Sequence, residues 1–209
     1  ARIFAAKGRP AVNPIIVHVA DAAAAQRLAS SWPVEGVRLA ERYWPGPLTL
    51  VVARHASVPD IVTAGGPTVG LRVPAHAVAL ALVRAAGVPI AAPSANRSLS
   101  LSPTLARHVL DSLGDAVDLV LDGGPTTEGL ESTVVDVSET SPRLLRPGPI
   151  PPGQIAACLA ISEELLVRPR PTDEALRSPG QLHRHYAPRA TLEVWPAPAA
   201  AARVGELRS

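Results

Sequence analysis

The 209 residues are enough for one buried α/β core and a smaller appendage, since a domain usually takes about 100–200 residues. Although 47% of the residues are hydrophobic, the apolar stretch at 75–86 is interrupted by His76 and Arg84 and is shorter than the roughly 18 residues that cross a bilayer. A formal charge of +2 with scattered arginines does not indicate a nucleic-acid-binding protein, and the single Cys158 excludes an internal disulfide, so we expect a cytoplasmic protein without membrane contact.

Hydrophobic periodicity and Gly/Pro turns predict alternating helices and strands over the first 160 residues. In chain order, the predicted elements are a helix over 1–6, a strand over 15–19, a helix over 21–29, strands over 48–52 and 68–73, a helix over 75–86 capped by Gly87, a strand over 88–92, a helix over 104–113 that begins near Ser102 as N-cap, strands over 117–121, 132–137 and 143–145, and a short helix within 149–158. This order predicts an α/β fold with an open, twisted, mixed sheet and flanking helices.

The chain changes character after residue 160. Residues 161–188 contain four prolines and few apolar runs, which predicts a linker. Residues 191–195 have the pattern of a strand and would begin a second small α/β unit over 189–209. Because the chain has no methionine, begins inside a predicted helix and ends soon after that strand, we expect the natural sequence to continue beyond both ends.

Polar and charged residues are concentrated in four loops that adjoin predicted strands. These loops are 7–13, with two cations and an amide, 93–103, with hydroxyls and an amide, 122–133, with three glycines before a pair of hydroxyls, and 145–148, with one arginine. Each loop alone is better explained by an ordinary turn or a helix cap than by a function. Their common position at strand ends is what a ligand site assembled from several loops requires.

Lys7 is the only lysine beside nineteen arginines. One interpretation is a surface lysine that survived by chance. The other is a compact ammonium whose geometry arginine cannot copy, placed with Arg9 and Asn13 to meet phosphate oxygens.

Together these segments resemble the YrdC-like family of threonylcarbamoyl-AMP synthases, in the long form with a C-terminal extension. The motifs that carry the resemblance run in order from Ala1 to about Pro188: KGRP with NP at 7–14, WPGPLT at 44–49, TVGLRVP at 68–74, PSAN at 93–96, SPT at 102–104, ESTVVD at 131–136, LRPG at 145–148 and SPGQLHRHYAP at 178–188. The last motif indicates the long form.

The resemblance implies an ATP-dependent enzyme, a nucleotidyltransferase. It would join threonine, bicarbonate and ATP into threonylcarbamoyl-AMP, release pyrophosphate, and use Mg²⁺ at the phosphates. The product would pass to a tRNA threonylcarbamoyl transferase, with at most a weak contact of this chain to tRNA. Residues 1–160 would then be the catalytic domain without its first part, 161–188 a linker that acts as a lid, and 189–209 the start of the C-terminal domain.

Site residues carry over from the family motifs position by position. Lys7 and Arg9 would act in catalysis. The residues expected to bind ATP are Lys7, Arg9, Asn13, Thr68, Ser94, Asn96, Ser102, Arg146, His185 and Tyr186, and those expected to bind threonine are His18, Arg72, Ala92 and Ser132. No residue is assigned to a protein-held metal site, and Arg184 would join His185 and Tyr186 in the lid.

Two further interpretations remain. A non-catalytic RNA-binding module would use the same basic surface, although the aromatic content of 3% offers few stacking platforms. A carbamoyl-adenylate-forming domain of another carbamoyl transferase is the third interpretation, against which the linker motif argues.

One of the departures from the family pattern lies in a loop of the expected site. Leu99 stands where the family usually has glycine, which predicts a different path for the loop after Asn96.

Overall fold

The computed structural model describes residues 2–168, 176–180, 195–196, 199–200 and 203–204, and its central feature is a mixed six-stranded sheet. The strands in this part of the chain are β1 (Val17–His18), β2 (Leu48–Ala53), β3 (Thr68–Arg72), β4 (Ile90–Ala91), β5 (Thr133–Asp136) and β6 (Arg143–Arg146), in the order β4-β1-β3-β2-β5-β6. β1 is parallel to β3 and β2 to β5, and the other neighbouring pairs are antiparallel. The predicted open mixed sheet is confirmed.

Helices flank this sheet, as predicted. Those in the described residues are α1 (Arg2–Lys7), α2 (Ala22–Gln26), α3 (Val34–Tyr43), α4 (Asp60–Thr63), α5 (Ala77–Ala86), α6 (Ala106–Leu113), α7 (Pro152–Leu159) and α8 (Glu163–Leu166), with a 3₁₀ turn at Gly114–Ala116. None of these described helices has the length and hydropathy of a membrane-crossing segment.

One face of the sheet forms the hydrophobic core. Leu50 of β2 pairs with Leu71 of β3 and Val135 of β5, and all three side chains are fully buried. Because side chains alternate along a strand, this register places them on the same face, where they form one cluster with Leu39 of α3 and Ile155 of α7. The alternate residues of the same strands therefore point to the opposite face.

Several predicted elements differ from the structure. The predicted strand over 117–121 is wrong: no strand forms there, and Leu119 and Leu121 are 75% and 53% exposed because the segment pairs with no edge of the sheet. The helix α3 was not predicted, although its buried Leu39 and Ala40 follow a helical period. β4 is two residues long, since Pro89 and Pro93 flank the segment and cannot donate to a ladder.

The ends of two segments also need correction. Ser102 is not the N-cap of α6, which begins at Ala106 after Leu105; its hydroxyl hydrogen-bonds to Glu131 instead. The predicted linker contains α8, and Leu166 of that helix is fully buried in the core cluster. The first residues of that segment are therefore folded onto the domain.

Candidate functional site

A row of polar side chains crosses the face of the sheet opposite the core. His18 of β1 pairs with Arg72 of β3, and Thr49 of β2 pairs with Val134 of β5, which pairs with Arg146 of β6. Extending the β2–β3 register by one residue from the Leu50–Leu71 pair places Thr49 opposite Arg72. Residues more than 120 positions apart in the sequence thus lie on one line across five strands.

Arg72 and His18 form the first half of this row. The Nε of Arg72 donates to the carbonyl of Gly46 at 2.9 Å, which fixes the plane of the guanidinium. Its two Nη groups have no hydrogen-bond partner among the described residues. A planar guanidinium with both Nη groups available can bind a carboxylate by donating one hydrogen bond to each of its oxygens.

Arg146 and Ser132 form the other half. Arg146 donates from Nε and Nη2 to the carbonyl of Ser132, at 3.1 and 2.9 Å, and from Nη2 to the Ser132 hydroxyl at 3.1 Å. That hydroxyl also lies 2.7 Å from the hydroxyl of Thr49 on β2. Arg146 is only 8% exposed, so these bonds hold a buried cation in one orientation.

Lys7 is not a surface lysine. It is 6% exposed at the end of α1, and its ammonium donates to the carbonyl oxygens of Ser94 and Asn96 and, at 3.3 Å, to the side-chain oxygen of Asn96. Asn96 in turn donates from Nδ2 to the Ser100 carbonyl at 2.8 Å. In this arrangement Lys7 and Asn96 shape the 94–100 loop, and a direct contact of either residue with phosphate stays a prediction.

Arg9 and Asn13 lie beside Lys7. Arg9 donates from Nε to the Asn13 carbonyl at 3.2 Å and from Nη2 to the Pro14 carbonyl at 2.6 Å. The side-chain oxygen of Asn13 is buried and has no hydrogen-bond partner in the described structure. Because an unsatisfied buried oxygen is costly, this position favours a donor that arrives with a ligand or water.

The remaining predicted residues fall into four situations. Thr68 is on the same face of β3 as Arg72 but four residues earlier, which at about 3.3 Å per residue is roughly 13 Å away. The N–H of Ala92 already bonds to Ile16, so a contact with threonine would use its carbonyl. Ser94 is exposed on the loop that Lys7 holds. The predicted lid residues Arg184, His185 and Tyr186 lie outside the described residues.

Cations at the site are held partly desolvated and close to one another. Burial lowers the pKa of Lys7 to about 8, with Arg9 nearby adding to the effect, and lowers the pKa of Arg9 to about 10. Burial, and then Arg72, lowers the pKa of His18 to about 4, so this histidine is neutral at pH 7. Burial also lowers the pKa of Arg72. A bound anion would relieve both the desolvation and the repulsion.

Arg146 connects the two halves electrostatically. Burial lowers its pKa to about 10, the carboxylate of Glu131 opposes that shift, and Arg72 adds to it. The positive charges of Arg72 and Arg146 therefore repel each other across the row. The arrangement is suited to holding an anionic ligand that spans both arginines.

Three contributors to the site were not predicted. The carboxylate of Glu131 accepts a hydrogen bond from the Ser102 hydroxyl and acts on the charge of Arg146. The hydroxyl of Thr49 hydrogen-bonds to that of Ser132, and the Gly46 carbonyl orients Arg72. All three belong to the motifs that carry the family resemblance, so the signal was present. Their roles depend on contacts across strands, which the motifs alone do not give.

A protein-only metal site is not found among the described residues, where no three His, Cys, Asp or Glu side chains gather to hold an ion. The charged side chains of the site are mostly cations, and the Glu131 carboxylate is the acidic group that acts on the pKa of Arg146. A magnesium ion fits such a site only with phosphate oxygens as most of its ligands.

Two family models match consecutive parts of the chain. Residues 1–148 match the Sua5_yciO_yrdC model, which is described as telomere recombination. Residues 150–207 match the Sua5_C model, described as the C-terminal domain of threonylcarbamoyl-AMP synthase.

Two similar curated proteins are both named threonylcarbamoyl-AMP synthase. The threonylcarbamoyl-AMP synthase of Pyrococcus abyssi is 45% identical over 197 residues, which cover 92% of this chain and 57% of that protein. The threonylcarbamoyl-AMP synthase of Bacillus subtilis is 43% identical over 201 residues, which cover 92% of this chain and 56% of that protein. The chain thus spans a little more than half the length of these curated relatives.

Solved structures agree with the fold. A crystal structure of P. abyssi Sua5 in complex with L-threonine matches with a TM-score of 0.90 and 42% identity, covering 99% of this chain and 61% of that one. E. coli YciO, at 24% identity and a TM-score of 0.63, shares the fold over 71% of this chain and 72% of its own. From the extent of the first family model and the identity to these relatives, the chain belongs to the Sua5/YciO/YrdC family.

Proposed function

We propose that the protein is an L-threonylcarbamoyladenylate synthase, which makes threonylcarbamoyl-AMP and pyrophosphate from threonine, bicarbonate and ATP. The observation that carries this proposal is the line of His18, Arg72 and Arg146 across one face of the sheet, together with the neighbouring cations Lys7 and Arg9 in the segment that leads into β1. Buried cations with lowered pKa values suit a triphosphate and a carboxylate as joint ligands. The names of the relatives support the same reaction.

The reaction needs no nucleophilic side chain. The threonine amine and bicarbonate condense to a carbamate with loss of water, and a carbamate oxygen attacks the α-phosphorus of ATP. That attack forms the P–O bond of the mixed anhydride and breaks the bond to pyrophosphate. The protein's task is therefore to align the two reactants and to compensate their negative charges.

Threonine would lie at the His18–Arg72 end of the row. The two Nη groups of Arg72 suit its carboxylate, and Ser132 and the Ala92 backbone suit its hydroxyl and amine. Because burial and Arg72 keep His18 neutral, this histidine can accept a hydrogen bond without adding to the positive charge.

ATP would lie between Arg146 and the 7–13 loop. Arg146 and Arg9 supply fixed guanidinium groups, and Asn13 supplies a buried oxygen that lacks a donor in the described structure. Lys7 would act by holding the 94–100 loop against the nucleotide, with its ammonium available for phosphate if that loop shifts. Mg²⁺, bound mainly by ATP, would neutralise part of the phosphate charge.

The wider setting of the reaction is also part of the proposal. We divide the chain into a catalytic domain over 1–160, a linker over 161–188 and a further unit from 189, whereas the two family models give one boundary, near residue 149. The product would pass to a tRNA threonylcarbamoyl transferase in the cytoplasm, where the free thiol of Cys158 is compatible with reducing conditions.

The test is to incubate the protein with ATP, magnesium, bicarbonate and labelled threonine. We expect pyrophosphate release that needs both threonine and bicarbonate, together with a threonine-labelled adenylate. Pyrophosphate release that does not depend on threonine would favour a carbamoyl-adenylate-forming domain with another acceptor. RNA binding without any release of pyrophosphate would favour the non-catalytic RNA-binding module.

A further inference from the structure

A short segment after α8 is bound to the end of β5 through the side chain of Arg177. Within residues 176–180, the guanidinium of Arg177 donates to the Asp136 carboxylate at 3.0 Å and to the Ser138 hydroxyl at 3.2 Å, and it also forms an ion pair with Glu139. The Asp136 side chain is only 3% exposed at the end of β5. An ion pair with a buried carboxylate of this kind fixes where the segment begins.

The same segment ends against Arg146. The carbonyl of Pro179 accepts a hydrogen bond from Nη1 of Arg146 at 3.4 Å, while Nε and Nη2 of that arginine bond to Ser132. Gly180 lies so close that a Cβ atom built on it would be 2.6 Å from Cδ of Arg146. Its φ of +91° is also one that side-chain-bearing residues rarely adopt.

Arg146 is thus held from two sides, by the strand β5 and by the 177–180 segment. Ser132 fixes Nε and Nη2, and the segment covers the aliphatic stem and meets Nη1. Only a residue without a Cβ atom can pass the stem at this distance. Any side chain at position 180 would have to push the guanidinium away from its present orientation.

We propose that residues 177–180 are a fixed anchor that positions Arg146 for the nucleotide, with the Arg177–Asp136 ion pair as its fastening and Gly180 as the contact. The segment acts through Arg146 and touches no substrate itself, so its residues are positioning residues. The inference rests on the proposed role of Arg146 at the nucleotide.

The experiment compares Gly180→Ala with Gly65→Ala. Gly65, in the turn between α4 and β3, has a similar φ of +78°, and a Cβ atom built on it would meet nothing within 4 Å, so it controls for backbone strain alone. We expect Gly180→Ala to raise the Kd and KM for ATP about tenfold, the effect of losing one hydrogen bond to a charged group, and to leave the KM for threonine unchanged. Gly65→Ala should change neither constant.

A second pair of variants covers the case in which Gly180→Ala does not fold. Arg177→Gln should weaken ATP binding in the same direction. Adding Asp136→Asn should restore part of the lost stability but not the ATP affinity, because it removes the buried carboxylate that lost its cationic partner without fastening the segment again.

Unchanged ATP affinity in both Gly180→Ala and Arg177→Gln would overturn the inference, as would an equal loss of ATP and threonine affinity. A wild-type protein that binds ATP but releases no pyrophosphate would refute the proposed function and leave the anchor supported if the variants still weaken ATP binding. A wild-type protein that does not bind ATP would overturn both.

Discussion

Replacing Arg72 by lysine tests how the site recognises threonine. Lysine keeps the positive charge of the β3 end but loses the planar guanidinium, including the bond from Nε to the Gly46 carbonyl at 2.9 Å that orients it. The two Nη groups, which have no partner among the described residues, would no longer be present for a carboxylate. Charge alone would remain, without geometry.

The expected size of the effect follows from one bidentate contact. A hydrogen bond to a charged group contributes roughly 1.5–3 kcal/mol, which is about a 10- to 150-fold change in affinity. We therefore expect Arg72→Lys to raise the threonine Kd by at least about tenfold while ATP affinity falls much less. The smaller effect on ATP would come through Arg146, whose pKa senses Arg72.

Isothermal titration with threonine and with ATP separately measures both constants. Arg38→Lys is the matched control, because Arg38 is exposed on α3, which covers the opposite face of the sheet. An unchanged threonine Kd in Arg72→Lys would refute the bidentate contact. Equal losses for threonine and ATP would refute the division of the row into two ends.

Three further variants test other parts of the structure. His18→Gln should remove a dependence of stability on pH. Because the pKa of His18 is about 4 in the folded protein and 6.5 ordinarily, the unfolded state binds more protons between these values. In chemical unfolding, the free energy of unfolding of the wild type should therefore fall by about 2 kcal/mol more than that of the variant between pH 7 and pH 5. Leu99→Gly should raise the melting temperature by about 1–4 °C, because Leu99 has a φ of +72° and is 43% exposed, so little packing is lost; a lower melting temperature would contradict this. Gly70→Ala should leave the fold intact, since its Cβ atom would meet side-chain atoms of Thr49 and Ile16 at 3.4 and 3.5 Å. It should weaken substrate binding, because the added methyl group would occupy space above the sheet beside the row. Unchanged binding would show that no ligand lies against Gly70.

The sequence by itself determined the fold class and most of the strands. Apolar β-branched runs such as Leu48–Ala53 and Thr68–Arg72 have no solvent-exposed alternative, and Gly/Pro turns separate them, so β2, β3, β5 and β6 were predicted within one or two residues. The run at 117–121 is also rich in Val and Leu, with Asp118 among them, and forms no strand. A strand requires a partner with free backbone groups, which composition does not reveal.

The sequence also indicated the loops that are proposed to form the site, because they contain unusual residues such as the single Lys7. It could not determine what each side chain does. Leu99 was expected to redirect its loop, yet the structure places it at a φ of +72°, in the region that favours glycine, because the bonds of Lys7 and Asn96 fix the loop from the other side.

Only the tertiary structure decided the arrangement of the row and of Arg146. His18, Arg72 and Arg146 lie on one line because the register of five strands brings them together, and register depends on pairings between distant segments. The same holds for Gly180, which in the sequence is one glycine of a turn. It lies against Arg146 in the segment whose Arg177 reaches the buried carboxylate of Asp136, 41 residues earlier in the chain, and no sequence pattern indicates either contact.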